Sequence, residues 1–236
     1  MSNKPSLDEA LSDSVLDLPR EFFIGEDRYV IWNPTLGVSI LAERRLANIN
    51  INQAALSKNP GLEALRLVSM EKEKICELIS LHTFRDFADL SNSNRLSERS
   101  NIFHQLNKKE LAELFLLVLS FPNASTLIQE SGLANEQERQ AEIAKYKNKD
   151  GHSVTFGGKT IYGMLIDAAC NRYGWNKEYV VWGIDLVSLR MMLADSINSV
   201  YLNDDEMKAL NINSTSNQKF GMTKEDIEKL KELTKD

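Results

Sequence analysis

The segment Gly157-Gly158-Lys159-Thr160 is the most suggestive of chemistry in this sequence, because phosphate-binding loops end in Gly-Lys-Thr. The complete motif needs another glycine five residues before Gly158, and that position is Ser153. The missing glycine matters because such a loop wraps phosphate with backbone N–H groups in unusual conformations. We therefore interpret the segment as a turn with Thr160 at a helix start. Nucleotide binding through Gly158-Lys159-Thr160 remains a distant alternative.

The histidines and cysteines do not follow a metal-binding pattern. They are His82, His104, His152, Cys76 and Cys170. A zinc pair on one helix needs ligands about one turn apart, whereas His82 lies six residues after Cys76. The two cysteines are far apart and each follows an apolar residue, which favours core side chains over nucleophiles or a disulfide. Gly-x-Ser-x-Gly is also absent. We expect no metal, no cofactor and no catalytic residues, and hence a protein that is not an enzyme.

Composition limits the partners of this chain of 236 residues. Its formal net charge is −6, and no basic cluster interrupts it. A mildly acidic surface repels phosphates, so we expect no nucleic-acid partner and no membrane partner. The longest apolar runs, such as Leu114–Leu119, are too short to span a bilayer. The first residues are polar and acidic, unlike a signal peptide, so we predict a cytoplasmic location.

The elements that must position any site are mostly helices. Phe22-Phe23-Ile24 and Tyr29–Trp32 flank a Gly/Asp turn, which predicts a β-hairpin. From Thr35 onward the apolar spacing becomes helical. The predicted fold class is mainly α, a helical bundle with a short N-terminal β-hairpin. The predicted parts are a flexible acidic arm (1–20), the hairpin plus a helical N-terminal domain (21–122), a helical spacer (123–150), a small helical C-terminal unit (151–202), and a linker with a C-terminal amphipathic helix (203–236).

Helix ends and breaks can be predicted at several positions. The expected start and stop residues are Asn107 with Glu110 as a capping pair, Asp185 as an N-cap, and Gly132 and Gly174 as helix ends. The segment Leu111–Leu119 is apolar almost all round and should be deeply buried. We interpret 50–59 as a polar break, 60–81 as one long helical segment, 91–94 as a linker, and 203–221 as weakly structured.

Two groups of mostly aromatic residues are candidates for binding another protein, because Trp and Tyr are enriched in binding hot spots. One group lies on the hairpin and the other surrounds Gly174. The candidates are Phe22, Ile24, Tyr29, Trp32, Tyr173, Trp175, Tyr179 and Trp182. A second interpretation is that the C-terminal aromatics fill the core of a small helical unit. We prefer that interpretation for Trp175 and Trp182.

The order of these motifs resembles the phage tail assembly chaperones. The stretch Phe22–Gly37 resembles the opening hairpin of that family, which ends in a Pro-(Leu/Thr) step into the first helix. The stretch Tyr173–Ile184 is similar to its unit of an aromatic-Gly-Trp, a short helix and a leucine helix. The two stretches and the helices between them cover most of residues 20–200, whereas the segments 123–150 and 203–221 do not map onto the family.

The resemblance implies a non-enzymatic chaperone or adaptor that binds the tape-measure protein, or other tail proteins, during tail morphogenesis. Chains of this kind are encoded by phages and prophages of gut bacteria, so the location implied is the bacterial cytoplasm. Homo-oligomerisation stays open. The alternative is a structural minor tail or connector protein that is retained in the virion.

Overall fold

The computed structural model describes residues 12–13, 16–121, 124–147, 158–196 and 200–210. The protein is mainly helical, with a short antiparallel hairpin near its N-terminus, so the predicted fold class is confirmed. The helices are α1 (Leu36–Leu46), α2 (Gln53–Lys58), α3 (Pro60–Met70), α4 (Lys72–Leu81), α5 (Phe87–Leu90), α6 (Ser93–His104), α7 (Lys108–Leu119), α8 (Ala124–Glu130), α9 (Leu133–Lys147), α10 (Ile161–Tyr173), α11 (Leu186–Ala194) and α12 (Asp204–Ala209). A π-helical turn, Tyr179–Gly183, precedes α11.

The hairpin consists of β1 (Arg20–Ile24) and β2 (Asp27–Ile31). Ile24 and Asp27 close a two-residue turn in which Gly25 has φ +63°. A positive φ at the first turn residue matches the right-handed twist of the two strands and favours glycine there. The hairpin ends before Pro34, and the Thr35 hydroxyl then caps α1 by accepting the Val38 N–H at 3.3 Å.

The predicted helix caps are present. Asn107 and Glu110 form a complete capping box at the start of α7, and Asp185 accepts the Ser188 N–H at 2.8 Å at the start of α11. Gly174 ends α10 in the left-handed conformation with φ +68°. The Asn107–Glu110 helix buries the face that contains Leu111 and Phe115, as its apolar composition predicted.

Four local predictions were wrong. The break at 50–59 contains α2, and the polar segment 203–221 contains α12. Neither helix has a buried residue, and each is only six residues long, too short to show a helical repeat of apolar residues. The segment 60–81 is two helices, because the backbone leaves helical geometry at Glu71 (φ −136°). The linker at 91–94 already includes the start of α6, which Asn92 caps.

The main hydrophobic core lies among helices of the first 121 residues. Helix α3 packs against α7, and α4 packs against both α6 and α1. Its fully buried side chains include Ile31, Leu67, Leu78, Phe103, Leu111 and Phe115. Ile31 is the last residue of β2, so the hairpin is attached to this core at its base.

The chain divides into two compact units. The first comprises 1–137 and 155–197, so it contains the hairpin, α1–α8 and the described residues 158–196, which include α10 and α11. In it, α11 packs on α8 through Val187 and Leu127. The second comprises 138–154 and 198–236, and its described residues belong to most of α9 and to 200–210. Helix α9 has no buried residue among the side chains described, as an exposed spacer predicts.

Within the part of the chain that the structure describes, no single helix has the length and apolar composition needed to cross a membrane. Helices α7 and α8 meet those criteria only together, as a bent pair. Five residues of α7 are buried inside the protein.

Candidate protein-binding surfaces

The inner face of the hairpin is packed against α6 by an aromatic triangle. Phe22 and Tyr29 are cross-strand partners, with ring centroids 5.7 Å apart. Both rings contact Phe103, at centroid distances of 6.0 and 6.1 Å. The guanidinium group of Arg99 lies 5.0 Å from the centre of the Tyr29 ring. Two of the predicted binding residues, Phe22 and Tyr29, thus hold the hairpin in place.

Trp32 lies at the other end of the hairpin and is partly covered. The guanidinium group of Arg85 is 4.6 Å above its ring. That guanidinium also donates to the Asp17 carboxylate at 2.7 Å, and the Asn33 amide donates to the same carboxylate at 3.1 Å. The backbone N–H of Trp32 donates to the backbone carbonyl of His82 at 2.8 Å. These contacts cover one face of the Trp32 ring and join its backbone to the end of α4.

A groove of about 440 Å³ runs along β1, and we call it the hairpin groove. One wall is the strand, including the predicted binding residue Ile24, and the other is the connection between α6 and α7 with the first turns of α7. Its lining residues are Phe22, Phe23, Ile24, Gly25, Gln105, Leu106, Glu110, Glu113 and Leu114. Phe23 is 65% exposed, on the face of β1 opposite to Phe22. A large aromatic side chain this exposed beside an open groove is suited to contact another molecule.

The C-terminal aromatics divide into two sets. Tyr173, Trp175 and Tyr179 form an aromatic cluster, with centroid distances of 4.7 Å and 5.0 Å between successive rings. Tyr173 donates its hydroxyl to the Met192 carbonyl at 2.8 Å, whereas Tyr179 is 44% exposed. The cluster borders a small core of Ala169, Val180 and Leu189. Trp175 packs against that core, as the core interpretation predicts, whereas Tyr179 lies largely at the surface.

Trp182 is separate from this cluster and packs on α1. A Cβ atom on Gly37 would meet three ring carbons of Trp182 at 2.2–2.6 Å, so the ring lies directly on the glycine backbone. Phe87 covers Trp182 with its ring centroid 4.7 Å away. Beside this Gly37–Trp182 contact, the Leu186 N–H donates to the Pro34 carbonyl at 2.8 Å, and Thr35 and Asp185 form an antiparallel bridge.

Asp185 is buried in this interface between the two ends of the unit. Burial raises the pKa of its carboxyl group, although the hydrogen bond from Ser188 opposes that effect. The carboxylate caps α11 while the backbone bridges to Thr35, so a single residue connects the start of α1 to the start of α11.

The Gly-Lys-Thr segment is a helix start. Gly158 has φ +70°, and the Thr160 hydroxyl accepts the Gly163 N–H at 3.2 Å, so it serves as the N-cap of α10. Lys159 is exposed. Ser153, at the position of the missing glycine, lies outside the described residues.

Two of the chemically reactive side chains are withdrawn from solvent. Burial raises the pKa of the Cys76 thiol to about 11 and lowers the pKa of His82 to about 4. The His82 ring stacks on Phe121 at 5.3 Å. Among the residues described, no group of three or more His, Cys, Asp or Glu side chains could hold a metal ion. His152 lies outside the described part.

The sequence analysis did not identify Phe23 or the opposite wall of the hairpin groove. The alternation of side chains along β1 was the available signal, because Phe22 and Ile24 must share one face and Phe23 must occupy the other. Leu106 and Leu114 gave no such signal, since only the packing of α7 brings them beside β1.

The chain was compared with protein-family profiles, with curated proteins and with solved structures. None of the three comparisons gave a match.

Proposed function

We propose that this chain is a non-enzymatic phage tail assembly chaperone or adaptor that binds the tape-measure protein during tail morphogenesis. The proposal starts from the two stretches that resemble this family, Phe22–Gly37 and Tyr173–Ile184. A chaperone for a long apolar-striped helical protein must cover that stripe until the tail tube assembles around it. Many weakly bound copies along one filament achieve this by avidity.

The observation that supports the proposal most is the contact between those two stretches. They are far apart in sequence, yet Gly37 and Trp182 pack directly on each other, and the adjoining Pro34 and Leu186 share a hydrogen bond. Motifs that belong to one family architecture are expected to form one structural unit. The exposed Phe23 and Tyr179 side chains then provide apolar surface for a partner.

Affinity purification from cells that produce the phage tests this proposal. We expect the tagged chain to retain the tape-measure protein from lysates taken before tail tubes form, and to be absent from finished particles. Failure to retain the tape-measure protein or another tail protein would contradict the proposal. Retention of the chain in finished particles at a fixed stoichiometry would instead support the alternative, a structural minor tail or connector protein.

A further inference from the structure

Among the described residues, only β2 pairs with the backbone of β1, and the opposite edge of β1 has no partner strand. In a two-residue hairpin the pair that closes the turn is hydrogen-bonded, and such pairs alternate with non-bonded pairs along the ladder. Ile24 and Asp27 close the turn, so Phe22 and Tyr29 form the next pair joined by backbone hydrogen bonds. The residues between and before them on β1, Phe23 and Glu21, therefore direct their backbone N–H and C=O groups away from β2. Among the described residues, no backbone hydrogen bond outside the ladder uses these groups.

The hairpin groove lies on this open side. Its lining includes residues of β1 and of the turn but none of β2, and its opposite wall is apolar at Leu106 and Leu114. A strand adjacent to β1 would lie about 4.8 Å away and would direct alternate side chains to opposite faces. One set of those side chains would contact the leucines, and the other would remain at the surface beside Phe23.

The charge of the groove indicates the kind of partner. Its lining contains two carboxylates, Glu110 and Glu113, and no Lys, Arg or His side chain. The Asn107 N–H engages one oxygen of Glu110, and Lys109 lies 3.9 Å from Glu113 with both side chains exposed. A basic segment is therefore the complementary occupant. A second copy of the chain fits less well, because edge-to-edge pairing of two β1 strands would bring two such acidic walls together.

We propose that the hairpin groove binds an extended basic segment of a partner protein, which adds as a third strand at the free edge of β1. Backbone hydrogen bonds to Glu21 and Phe23 would supply affinity. Apolar side chains on Leu106 and Leu114, and Lys or Arg beside Glu110 and Glu113, would supply selectivity. The inference rests on the proposed function only for the partner's identity: the tape-measure protein is where we expect such a segment.

Designed peptides and the full-length chain test this binding mode without the tape-measure protein. The probe is a labelled peptide of about eight residues that alternates Val and Lys, the length of a typical strand, measured by fluorescence anisotropy. Its controls are a Val/Glu alternating peptide and a Val/Lys peptide with the same composition in two blocks. We expect saturable binding of the alternating Val/Lys peptide alone.

Two sets of substitutions separate the contribution of the groove carboxylates from that of the β1 backbone. The double variant Glu110→Gln/Glu113→Gln should weaken binding by about tenfold, and glutamine at position 110 preserves the capping box. Phe23→Pro removes one edge N–H, and proline is tolerated at an exposed edge; it should weaken binding more than Phe23→Ala, which keeps the N–H. Circular dichroism and the melting temperature establish that each variant is folded.

A backbone scan of the peptide gives a test that needs no protein variant. Two peptides are compared, one N-methylated at the odd-numbered residues and one at the even-numbered residues. One of them should lose binding and the other should bind like the unmodified peptide, because the added strand donates backbone hydrogen bonds to β1 along one of its edges only. Absence of binding, equal binding of the Val/Glu or block peptide, or loss of binding by both methylated peptides would overturn the inference. These outcomes are independent of whether lysates yield the tape-measure protein.

Discussion

Gly37 occupies the second position of α1, where the Trp182 ring fills the space that any side chain would need. Replacing Gly37 by alanine would place a methyl group within 2.2–2.6 Å of the ring carbons, so Trp182 must shift and disturb its contact with Phe87. We predict that Gly37→Ala lowers the free energy of unfolding by about 1–3 kcal/mol. Urea denaturation followed by tryptophan fluorescence measures this change.

Gly61 provides a matched control for that substitution. It also occupies the second position of a helix, α3, but its Cβ would meet only the Asn59 side chain at an ordinary 3.8 Å. Gly61→Ala should leave stability unchanged or raise it by about 0.5–1 kcal/mol, because alanine favours a helix over glycine. Equal effects at the two positions would show that the Gly37–Trp182 contact is not as close as described.

Glu63 is a buried carboxylate that accepts three hydrogen bonds. It is 3% exposed and accepts from Arg66 at 2.6 and 2.8 Å and from the Asn52 N–H at 2.8 Å. The Arg66 hydrogen bond, helped by that of Asn52, lowers the pKa of Glu63 from 4.5 to about 2. The residue thereby connects α3 to the segment before α2.

The lowered pKa predicts how stability depends on pH. The unfolded chain binds a proton at Glu63 near pH 4.5 and the folded chain only near pH 2, so the contribution of Glu63 is complete above pH 4.5 and is lost as the pH falls to 2. Glu63→Gln should reduce the slope of unfolding free energy against pH in that window. Urea denaturation at successive pH values measures the slope. The exposed Glu98→Gln is the control, and an equal slope in wild type and Glu63→Gln would refute the assignment.

At the scale of elements, the hairpin depends on one of its faces only. Phe22 packs on Phe103, whereas its neighbour Phe23 points to solvent. We predict that Phe22→Ala lowers the free energy of unfolding by about 2–3 kcal/mol and that Phe23→Ala changes it by less than about 0.5 kcal/mol. Thermal and urea unfolding of the two variants side by side measure the difference.

The two substitutions change the same residue type at adjacent positions, so each controls for the other. If Phe22→Ala left stability unchanged, the hairpin would not be held by α6, and the hairpin groove would lack a fixed wall. If Phe23→Ala destabilised the protein as strongly as Phe22→Ala, Phe23 would be a core residue rather than a surface for binding.

Elements with strong local signals could be predicted from the sequence. Proline and glycine set the ends of the hairpin and of α10, and the Asn107–Glu110 pair began α7 at the expected position. Helices α2 and α12 could not be predicted, because each is only six residues long and therefore too short to show a helical repeat of apolar residues after its cap, Asn52 or Asn203. The break at Glu71 was equally hidden, since apolar spacing continues through it.

The candidate site was predictable only in part, for a reason that belongs to tertiary structure. Aromatic composition identified the hairpin and the region around Gly174, but it did not distinguish anchoring rings such as Tyr29 from the exposed Phe23. The groove walls at Leu106 and Leu114, and the meeting of Gly37 with Trp182, join residues that are distant in the chain. Their proximity depends on how the helices pack rather than on local sequence.

At the scale of the whole molecule, the proposed chaperone function rests on one compact unit whose surface includes exposed apolar side chains, among them Phe23 and Tyr179. The hairpin groove and the exposed edge of the aromatic cluster both belong to that unit. A partner with long apolar helical stripes would otherwise aggregate before assembly. Binding of such stripes should depend on buried apolar contacts more than on exposed rim charges. The basic segment proposed for the hairpin groove should depend in addition on Glu110 and Glu113.

The most direct measurement of this claim is the solubility of the tape-measure protein in a heterologous host. It would be produced alone, together with this chain from the same gene cluster, or together with an unrelated acidic helical protein of similar size. The account predicts that only this chain moves the tape-measure protein into the soluble fraction and that the two proteins then elute together. A tape-measure protein that stays equally insoluble in all three cultures would contradict it.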